Sequence, residues 1–414
     1  MAHPPDPAVK VPPHGAAAPL RIALLSGEYP PQPGGVGDYT RHLGSALGSE
    51  GHQVAVLTIR DGRLIRHDLS GDGAEVLLSN PARPLTWSPR SWPAVRAVIQ
   101  AWHPDWLHIQ YQTGAYAMCA GVNLLPGYLR LFPDRPRIAV TFHDLLEPYL
   151  FPKAGPLRAW VNRRLAADAD AVVATNAADA ARLAALGLRG PALATIPIGS
   201  NIDVAPPVDY NRATWRASLG VGSDEFLVAY FGLLSPSKGA DLLVDALSRL
   251  GVDIPWRLLL IGGAATAPQD VAFAAALHAQ IDRLGLAPRV IRTGHVSAAD
   301  VSAHLLAADC AALPFLDGAS FRRGSLLAAL AHGCPLITTT PDDPATAEAL
   351  ADGRVALLAP PGDAAALGAT LARLAAAPSL RAELAAAGRR AAAPFAWSEI
   401  ARRHAQIYGA FAGR

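Results

Sequence analysis

The residue best suited to hydroxyl binding or proton transfer is His143. It follows the apolar run Ile138–Phe142, which is typical of a strand buried on both faces, and it precedes Asp144. In open α/β sheets, side chains at the carboxyl ends of strands face the ligand crevice, where an imidazole can hold a hydroxyl or move a proton. Structural roles stay open at this point: His143 could cap a helix or pack in the core, and Asp144 could be a helix N-cap.

Three cationic side chains form a second set of candidates. Lys238 lies in the turn between a predicted strand that ends at Gly232 and an amphipathic helix, and Arg322 and Arg323 stand at the start of an apolar helix. Guanidinium groups and helix-start N–H groups together bind anions well. The same segment adds small and hydroxyl-bearing candidates: Ser320, Gly324 and Ser325. The structural alternative is a solvated arginine pair or an ion pair with Asp317.

A glycine-rich loop follows the first predicted strand, Ile22–Ser26. Its segment Gly34–Gly37 leads into a helix whose apolar residues recur at helical spacing. Gly35 and Gly37 let a ligand approach the backbone closely, and N–H groups at a helix start favour anionic or polar ligand groups. The spacing is not that of the dinucleotide-binding fingerprint. Ligand binding and a purely structural turn are equally open interpretations of this loop.

Composition sets the size and class of the protein. The chain has 414 residues, 51% of them hydrophobic and 17% charged. At about 150 residues per domain, this length predicts two to three globular domains. Its formal net charge of +2 excludes the strongly basic field of nucleic-acid-binding proteins, so no nucleic-acid partner is expected.

Cysteine spacing and hydropathy predict the cellular compartment of the protein. Its 3 cysteines, Cys119, Cys310 and Cys334, have no zinc-like spacing, which predicts a reducing compartment and no structural metal. Residues 1–19 lack the features of a signal peptide and are predicted to be a disordered tail. No apolar run approaches the roughly 18 residues of a membrane-spanning helix. We therefore expect a cytoplasmic protein that is, at most, peripheral to a membrane.

Short apolar runs alternate with longer helical stretches, which predicts an α/β protein with parallel sheets. The first series of predicted strands is Ile22–Ser26, Val54–Thr58, Trp106–Gln110, Ile138–Phe142, Ala171–Thr175 and Ala194–Pro197. The second series is Leu227–Phe231, Leu258–Ile261, Val290–Thr293, Cys310–Leu313, Leu336–Thr339 and Val355–Leu358. The proline-rich stretch Asp203–Ser223 lies between the two series and is predicted to be a linker.

At this point the motifs resemble a known family. Gly34–Gly37 with Tyr39 and Leu43, followed by Gly51–Thr58, resembles the opening of the retaining GT-B glycosyltransferases of family four, in the glycogen synthase and mannosyltransferase-like superfamily. Further segments fall in the family's order and spacing: Thr141–Asp144, Ile196–Gly199, Phe231–Gly232, Lys238–Gly239, Gly294–Val296 and Ala331–Ile337. The resemblance covers nearly the whole chain beyond residue 19.

The resemblance implies a GT-B fold, in which two Rossmann-like domains with parallel sheets face an interdomain cleft. The acceptor domain would span residues 20–205, with a C-terminal helix, 395–414, packing back onto it. The donor-binding domain would span residues 206–394.

The resemblance also assigns roles to individual residues. It places His143, the candidate catalytic residue, at the transferred sugar and Lys238 at the donor diphosphate. Further donor-binding positions follow from the same register: Gly35, Gly37, Gly232, His295, Ser320, Arg322, Arg323, Gly324 and Ser325. This chain departs from the family at Leu233, where an arginine is usual, and at Ser320 and Ala328, where paired glutamates are usual. The donor's identity therefore does not carry over.

The implied function is metal-independent, retaining, hexosyltransferase-like transfer, as in polysaccharide biosynthesis. A nucleoside-diphosphate-sugar is the expected co-substrate, with no other cofactor, and the acceptor is a glycan, a lipid-linked sugar or a small molecule. The alternatives are a non-catalytic homologue that binds a sugar nucleotide or a partner, and a GT-B phosphorylase or epimerase. Four tryptophans are candidates for acceptor or membrane contact, with core packing as the alternative: Trp87, Trp92, Trp102 and Trp106.

Overall fold

The computed structural model describes residues 18–32, 34–69, 75–78, 83–146, 155–187, 192–251, 253–263 and 267–411. The chain divides into two compact units: unit 1 is Met1–Ile198 with Trp397–Arg414, and unit 2 is Gly199–Ala396. This division lies a few residues before the 205/206 boundary expected from the sequence. Apart from residues 18 and 19, the tail predicted for 1–19 lies outside the described residues.

Unit 1 is built on an 8-stranded sheet with the order β4-β3-β2-β1-β5-β6-β7-β8. Its strands are β1 Arg21–Ser26, β2 Gln53–Arg60, β3 Arg63–Asp68, β4 Glu75–Leu77, β5 Trp106–Tyr111, β6 Arg137–Phe142, β7 Ala171–Ala174 and β8 Ala192–Thr195. The predicted strands of the first series are all present and parallel. The sequence analysis missed the antiparallel extension β3–β4, which follows the tight Asp61-Gly62 turn.

The helices of unit 1 are α1 Gly35–Ser49, α2 Trp92–Trp102, α3 Gly121–Leu129, α4 Gly155–Ala167, α5 Ala177–Ala185 and the last helix of the chain, α14 Trp397–Gly409. Trp397 of α14 packs on α1, with ring centroids 5.1 Å from Tyr39 and 5.0 Å from His42. Phe395 stands outside α14, in unit 2, where it stacks on Phe321. The helix that packs on unit 1 therefore begins at Trp397, two residues later than expected from the sequence.

Unit 2 holds a 6-stranded parallel sheet with the order β11-β10-β9-β12-β13-β14. Its strands are β9 Phe226–Phe231, β10 Trp256–Ile261, β11 Val290–Gly294, β12 Cys310–Leu313, β13 Leu336–Thr339 and β14 Ala356–Ala359. Its helices are α6 Arg212–Ser218, α7 Ala240–Ser248, α8 Pro268–Arg283, α9 Ala298–Ala307, α10 Gly324–Ala331, α11 Pro344–Leu350, α12 Ala364–Ala375 and α13 Pro378–Ala392. The second predicted series of strands is confirmed, and two α/β units with largely parallel sheets match the predicted fold class.

Buried histidines link α14 to the sheet of unit 1. His108 of β5 is fully buried and hydrogen-bonds through Nδ1 to Tyr408 Oη, at 2.6 Å, and through Nε2 to Thr141 Oγ1, at 2.8 Å. His404 is also fully buried, and its Nδ1 lies 2.8 Å from the carbonyl oxygen of Ile400. Burial lowers the pKa of His404 to about 4 and that of His143 to about 3. These imidazoles are neutral in the folded protein.

Acid should therefore destabilise unit 1 well before its carboxylates titrate. A histidine with a lowered folded-state pKa stabilises the fold fully above its unfolded pKa of about 6.5, and this stabilisation is lost as the pH falls toward the folded value. Each of His143 and His404 should reduce the free energy of unfolding by about 1.4 kcal/mol per pH unit below 6.5. Urea unfolding between pH 7.5 and 4.5 measures this slope.

His404→Gln removes one of the protons taken up on unfolding, so the slope should fall by about 1.4 kcal/mol per pH unit. The matched control is His278→Gln, on the exposed surface of α8, which should leave the slope unchanged. A free energy of unfolding that stays constant from pH 7.5 to 5 would contradict the buried neutral cluster.

Candidate functional site

Each sheet has a position where neighbouring strands are connected in opposite directions, and open α/β sheets bind ligands at this position. In unit 1 it lies between β1 and β5. The loops that follow these strands touch, because Gly27 packs against the backbone of Ala115. A Cβ at position 27 would lie 2.4 Å from the Ala115 carbonyl oxygen, so only glycine fits there.

The start of α1 is occupied by a side chain of the protein itself. The backbone N–H groups of Val36 and Gly37 donate to Glu28 Oε1 at 2.9 and 3.3 Å. A Cβ on Gly34 would lie 2.1 Å from the Glu28 carboxylate, and one on Gly37 would lie 3.1 Å from the Glu28 carbonyl oxygen, whereas Gly35 has open space around it. These glycines therefore admit the Glu28 cap. A ligand phosphate at this helix start would meet a carboxylate.

His143 lies at the carboxyl end of β6, where the sequence placed it, and it is only 9% exposed. Its backbone N–H donates to the Tyr111 carbonyl at 2.9 Å, and its Nε2 lies 3.1 Å from Gln110 Oε1. The Tyr39 ring meets the imidazole edge-on at 4.6 Å. Since burial lowers the pKa of His143 to about 3, the imidazole is neutral. It can hold a hydroxyl but cannot act as a proton donor of ordinary acidity.

In unit 2 the corresponding position lies between β9 and β12. The loops after these strands are joined by a hydrogen bond from the Leu316 N–H to the Ser237 carbonyl, at 2.9 Å. Gly239 has a φ of 67°, and a Cβ there would lie 2.2 Å from the Pro314 carbonyl oxygen. Glycine is therefore required at the point where the two loops meet. The predicted cations of unit 2 stand on these two loops.

Lys238 and Arg323 form a pair of like charges at this junction. Burial lowers the pKa of Lys238, the positive charge of Arg323 lowers it further, and Asp270 opposes the shift. Arg323 donates to the Asp317 carboxylate and lies with its guanidinium 4.8 Å from the Phe315 ring. The ion pair with Asp317, weighed from the sequence as the alternative to anion binding, is thus present. Two half-buried cations in proximity repel each other, and a bound anion would relieve that repulsion.

Most of the other predicted donor-binding residues lie either at the start of α10 or beside Lys238. Arg323 is the N-cap residue of α10 and provides no side-chain cap, while Gly324 and Ser325 form its first turn. The Arg322 N–H donates to Ser320 Oγ at 3.2 Å, so these two residues belong to the same turn. Gly232, with a φ of 140°, lies beside Lys238: a Cβ there would be 3.4 Å from Lys238 Nζ. These residues are brought together by the structure.

His295 borders this group through its neighbour Gly294, which pairs with Gly262; a Cβ on Gly262 would lie 2.5 Å from the Gly232 carbonyl oxygen. His295 itself is exposed and follows β11, the edge strand, which is separated from β9 by β10. Its part in donor binding rests on the family resemblance alone.

The four candidate tryptophans are explained by packing. Trp87 is 6% exposed and Trp106 only 2% exposed. Trp92 stacks on the Tyr128 ring at 5.1 Å, and the Trp102 ring lies under the guanidinium groups of two arginines. Trp87 and Trp106 thus belong to the core of unit 1, and Trp92 and Trp102 are partly buried against it.

Three residues near these sites were missed from the sequence: Glu28, Gln110 and Phe315. The signal for Glu28 is weak: it is an acidic residue in the loop before α1, whose N-cap position is Gly34 and not Ser, Thr, Asp or Asn. Gln110 and Phe315 carry no such signal, because their partners come from other strands or loops.

The residues that the structure describes contain no grouping of histidine, cysteine, aspartate or glutamate side chains that could hold a metal ion. Within the same residues, no helix has the length and apolar character needed to cross a membrane.

The chain is similar in sequence and in fold to known proteins. Residues 34–199 match the glycosyl transferase 4-like domain, and residues 225–377 match the glycosyl transferases group 1 family. A glycogen synthase of Mycobacterium tuberculosis is 28% identical, with 94% of each chain covered.

Two solved structures with similar folds each align with 95% of this chain and with 100% of their own length. Sucrose-phosphate synthase from Thermosynechococcus elongatus superimposes with a TM-score of 0.68 at 24% identity. HepE of Anabaena, solved with UDP, superimposes with a TM-score of 0.66 at 22% identity.

The Glu28 cap gives a direct test of the α1 start. Glu28→Ala removes the acceptor for two helix-start N–H groups and should lower the free energy of unfolding by about 0.5–2 kcal/mol, while Glu28→Gln should cost less. Urea unfolding at pH 7.5 measures both. The control is Glu50→Ala at the opposite end of α1, where burial raises the carboxyl pKa, so that losing this charge should not destabilise. Equal stability of Glu28→Ala and the wild type would exclude the cap.

Proposed function

The chain belongs to the GT-B glycosyltransferases of the group 1 type, in the GT4-like superfamily, and we propose that it transfers a sugar, with retention, from a nucleoside-diphosphate-sugar. The observation that carries the proposal is the junction in unit 2, where the charge of Arg323 lowers the pKa of Lys238 beside the uncapped start of α10. The acceptor proposed is a glycan, a lipid-linked sugar or a small molecule.

A sugar nucleotide is the donor class that this junction suits. Cations and helix-start N–H groups are complementary to a diphosphate. HepE, which shares the fold, has been solved with UDP and with UDP-glucose, which supports the same donor class here. Because the buried Ala328 replaces the family's usual glutamate, carboxylate recognition of the ribose is not proposed for this chain.

The junction would act mainly on the leaving group. As the bond between sugar and diphosphate breaks, negative charge accumulates on the diphosphate, and preorganised cations and N–H dipoles stabilise it. An anion beside Lys238 favours its protonated form and so opposes the effect of burial. The family's usual arginine is replaced by Leu233 in this chain. Lys238, Arg323 and the first N–H groups of α10 would therefore supply the charge stabilisation.

His143 would contribute differently. Its neutral imidazole is suited to accepting or donating a hydrogen bond to a substrate hydroxyl and unsuited to protonating a leaving group. We therefore assign it to substrate orientation.

A second candidate function is sugar-nucleotide binding without turnover. Three departures from the family favour it: the usual arginine is Leu233 in this chain, and the usual paired glutamates are Ser320 and Ala328. Lys238 and Arg323 would bind the diphosphate in either case, so binding alone does not distinguish the two functions.

The experiment that distinguishes them measures turnover. Purified protein is incubated with UDP-, GDP- and ADP-sugars, with and without candidate acceptor sugars, and release of nucleoside diphosphate is followed. Proton NMR of the product then gives its anomeric configuration. The proposal predicts release with at least one donor and a product of retained configuration. Binding without release from any donor supports the second candidate, and release that requires inorganic phosphate indicates a phosphorylase.

The diphosphate contacts give a separate prediction. Lys238→Ala and Arg323→Ala should each weaken binding of the preferred nucleoside diphosphate by about tenfold to a hundredfold, the usual cost of a lost charge-assisted hydrogen bond. Binding of the parent nucleoside should not change. Isothermal titration calorimetry with both ligands measures the difference. Arg249→Ala, an exposed arginine paired with Asp245 on the same unit, is the matched control.

The Asp317 partner sharpens this test, since it competes with the ligand for Arg323. Asp317→Asn should tighten diphosphate binding by a few-fold, the opposite direction from the other two variants. If all three variants bind the diphosphate as the wild type does, the arginine is a surface ion pair and the diphosphate binds elsewhere.

A further inference from the structure

The immediate surroundings of His143 hold a buried amide that the proposed function leaves unexplained. Gln110 is the fifth residue of β5 and is fully buried. Its Oε1 lies 3.1 Å from His143 Nε2, while its Nε2 is buried without a hydrogen-bond partner among the described residues. Leaving a polar atom buried and unpaired destabilises a fold. Such a cost is tolerated where the other half of the amide has a role.

The hydrogen bond between Gln110 and His143 determines where the imidazole proton sits. A neutral imidazole carries one N–H and one bare nitrogen, and an amide oxygen can only accept. With Gln110 Oε1 facing Nε2, the proton of His143 is on Nε2. The bare nitrogen is then Nδ1, which has no partner among the described residues and is not one of their fully buried unpaired atoms. Nδ1 is then the ring nitrogen left to accept a hydrogen bond from a ligand.

The other elements packed around His143 keep it neutral and in place. Tyr39 of α1 meets the imidazole at 4.6 Å with its ring nearly perpendicular, at 80°. Tyr39 in turn packs on Trp397 of α14. The titratable side chains in this cluster are Tyr39, His108, His404 and Tyr408, and burial shifts the pKa of each toward the neutral form. Within the described part of the chain no carboxylate pairs with His143, and the hydrogen bond to Gln110 is what distinguishes its two ring nitrogens.

We propose that Gln110 is a positioning residue that holds His143 with its proton on Nε2, so that Nδ1 accepts a hydrogen bond from a substrate hydroxyl. The role of Nδ1 rests on the proposed transferase function, whereas the position of the proton does not. His143 would thus recognise a substrate hydroxyl that donates a hydrogen bond. A substrate with an ether or a deoxy position there would leave Nδ1 unpaired and would react more slowly.

The position of the proton can be measured without any substrate. Protein labelled with ¹⁵N in its histidines gives two-bond ¹H–¹⁵N correlations that distinguish a bare ring nitrogen from a protonated one, and His143→Gln identifies the His143 signals. We expect the wild type at pH 7.5 to show a bare Nδ1 and a protonated Nε2. A protonated Nδ1 would overturn the proposal, whether or not the protein is active.

Three variants test the consequence for turnover. Gln110→Leu removes the acceptor and should yield a mixture of both tautomers and at least a fivefold fall in kcat. Gln110→Glu keeps an acceptor facing Nε2, so it should preserve the tautomer, raise the pKa of His143 and shift the pH profile of kcat. The control is Thr141→Val on β6, which is equally buried but hydrogen-bonds His108 rather than His143, and it should leave the His143 tautomer unchanged.

The outcomes separate this inference from the proposed function. A bare Nδ1 in a protein that releases nucleoside diphosphate from no donor would refute transferase activity and leave the positioning by Gln110 intact. Conversely, an active wild type whose Gln110→Leu variant has the wild-type tautomer and kcat would refute the positioning role. If Gln110→Leu does not fold, the wild-type spectrum and the Gln110→Glu profile still decide the matter.

Discussion

The constraint on which the sites depend is the close contact of two loops at the point where each parallel sheet changes direction. In unit 1, Gly27 must lie against the Ala115 carbonyl, and in unit 2, Gly239 must lie against the Pro314 carbonyl. A side chain at either glycine would separate the loops. In unit 2 this contact brings Lys238 and Arg323, far apart in sequence, close enough for one charge to lower the pKa of the other.

The starts of α1 in unit 1 and of α10 in unit 2 are capped differently, and the proposed anion site depends on this difference. In unit 1, the Glu28 carboxylate accepts from the first turn of α1. In unit 2, α10 begins without a side-chain cap, beside two cations. A diphosphate would meet repulsion at the first site and attraction at the second. Unit 1 instead offers a neutral imidazole, His143, which suits uncharged hydroxyls.

Much of this arrangement could be predicted from the sequence. Buried parallel strands are apolar throughout, so both series of strands and the positions of His143 and Lys238 at strand ends were recognisable. The antiparallel strand β3 was missed because Arg63–Asp68 is rich in charge, although the preceding Asp-Gly pair is a hairpin signal. The Gln110–His143 contact could not be predicted, because it depends on the register between β5 and β6, in which Gln110 pairs with Thr141. The Arg323–Asp317 ion pair could be named only as one of two alternatives, since spacing alone does not orient a side chain.

The central claim is that the nucleoside diphosphate of the donor binds at the junction of unit 2. Crystals grown with the nucleoside diphosphate that binds most tightly in calorimetry test it most directly. The account predicts diphosphate oxygens within hydrogen-bond distance of Lys238 Nζ and of the first N–H groups of α10, with Arg323 turned from Asp317 toward the ligand. Density for the diphosphate at the start of α1, or an intact Arg323–Asp317 pair with the ligand bound elsewhere, would contradict it.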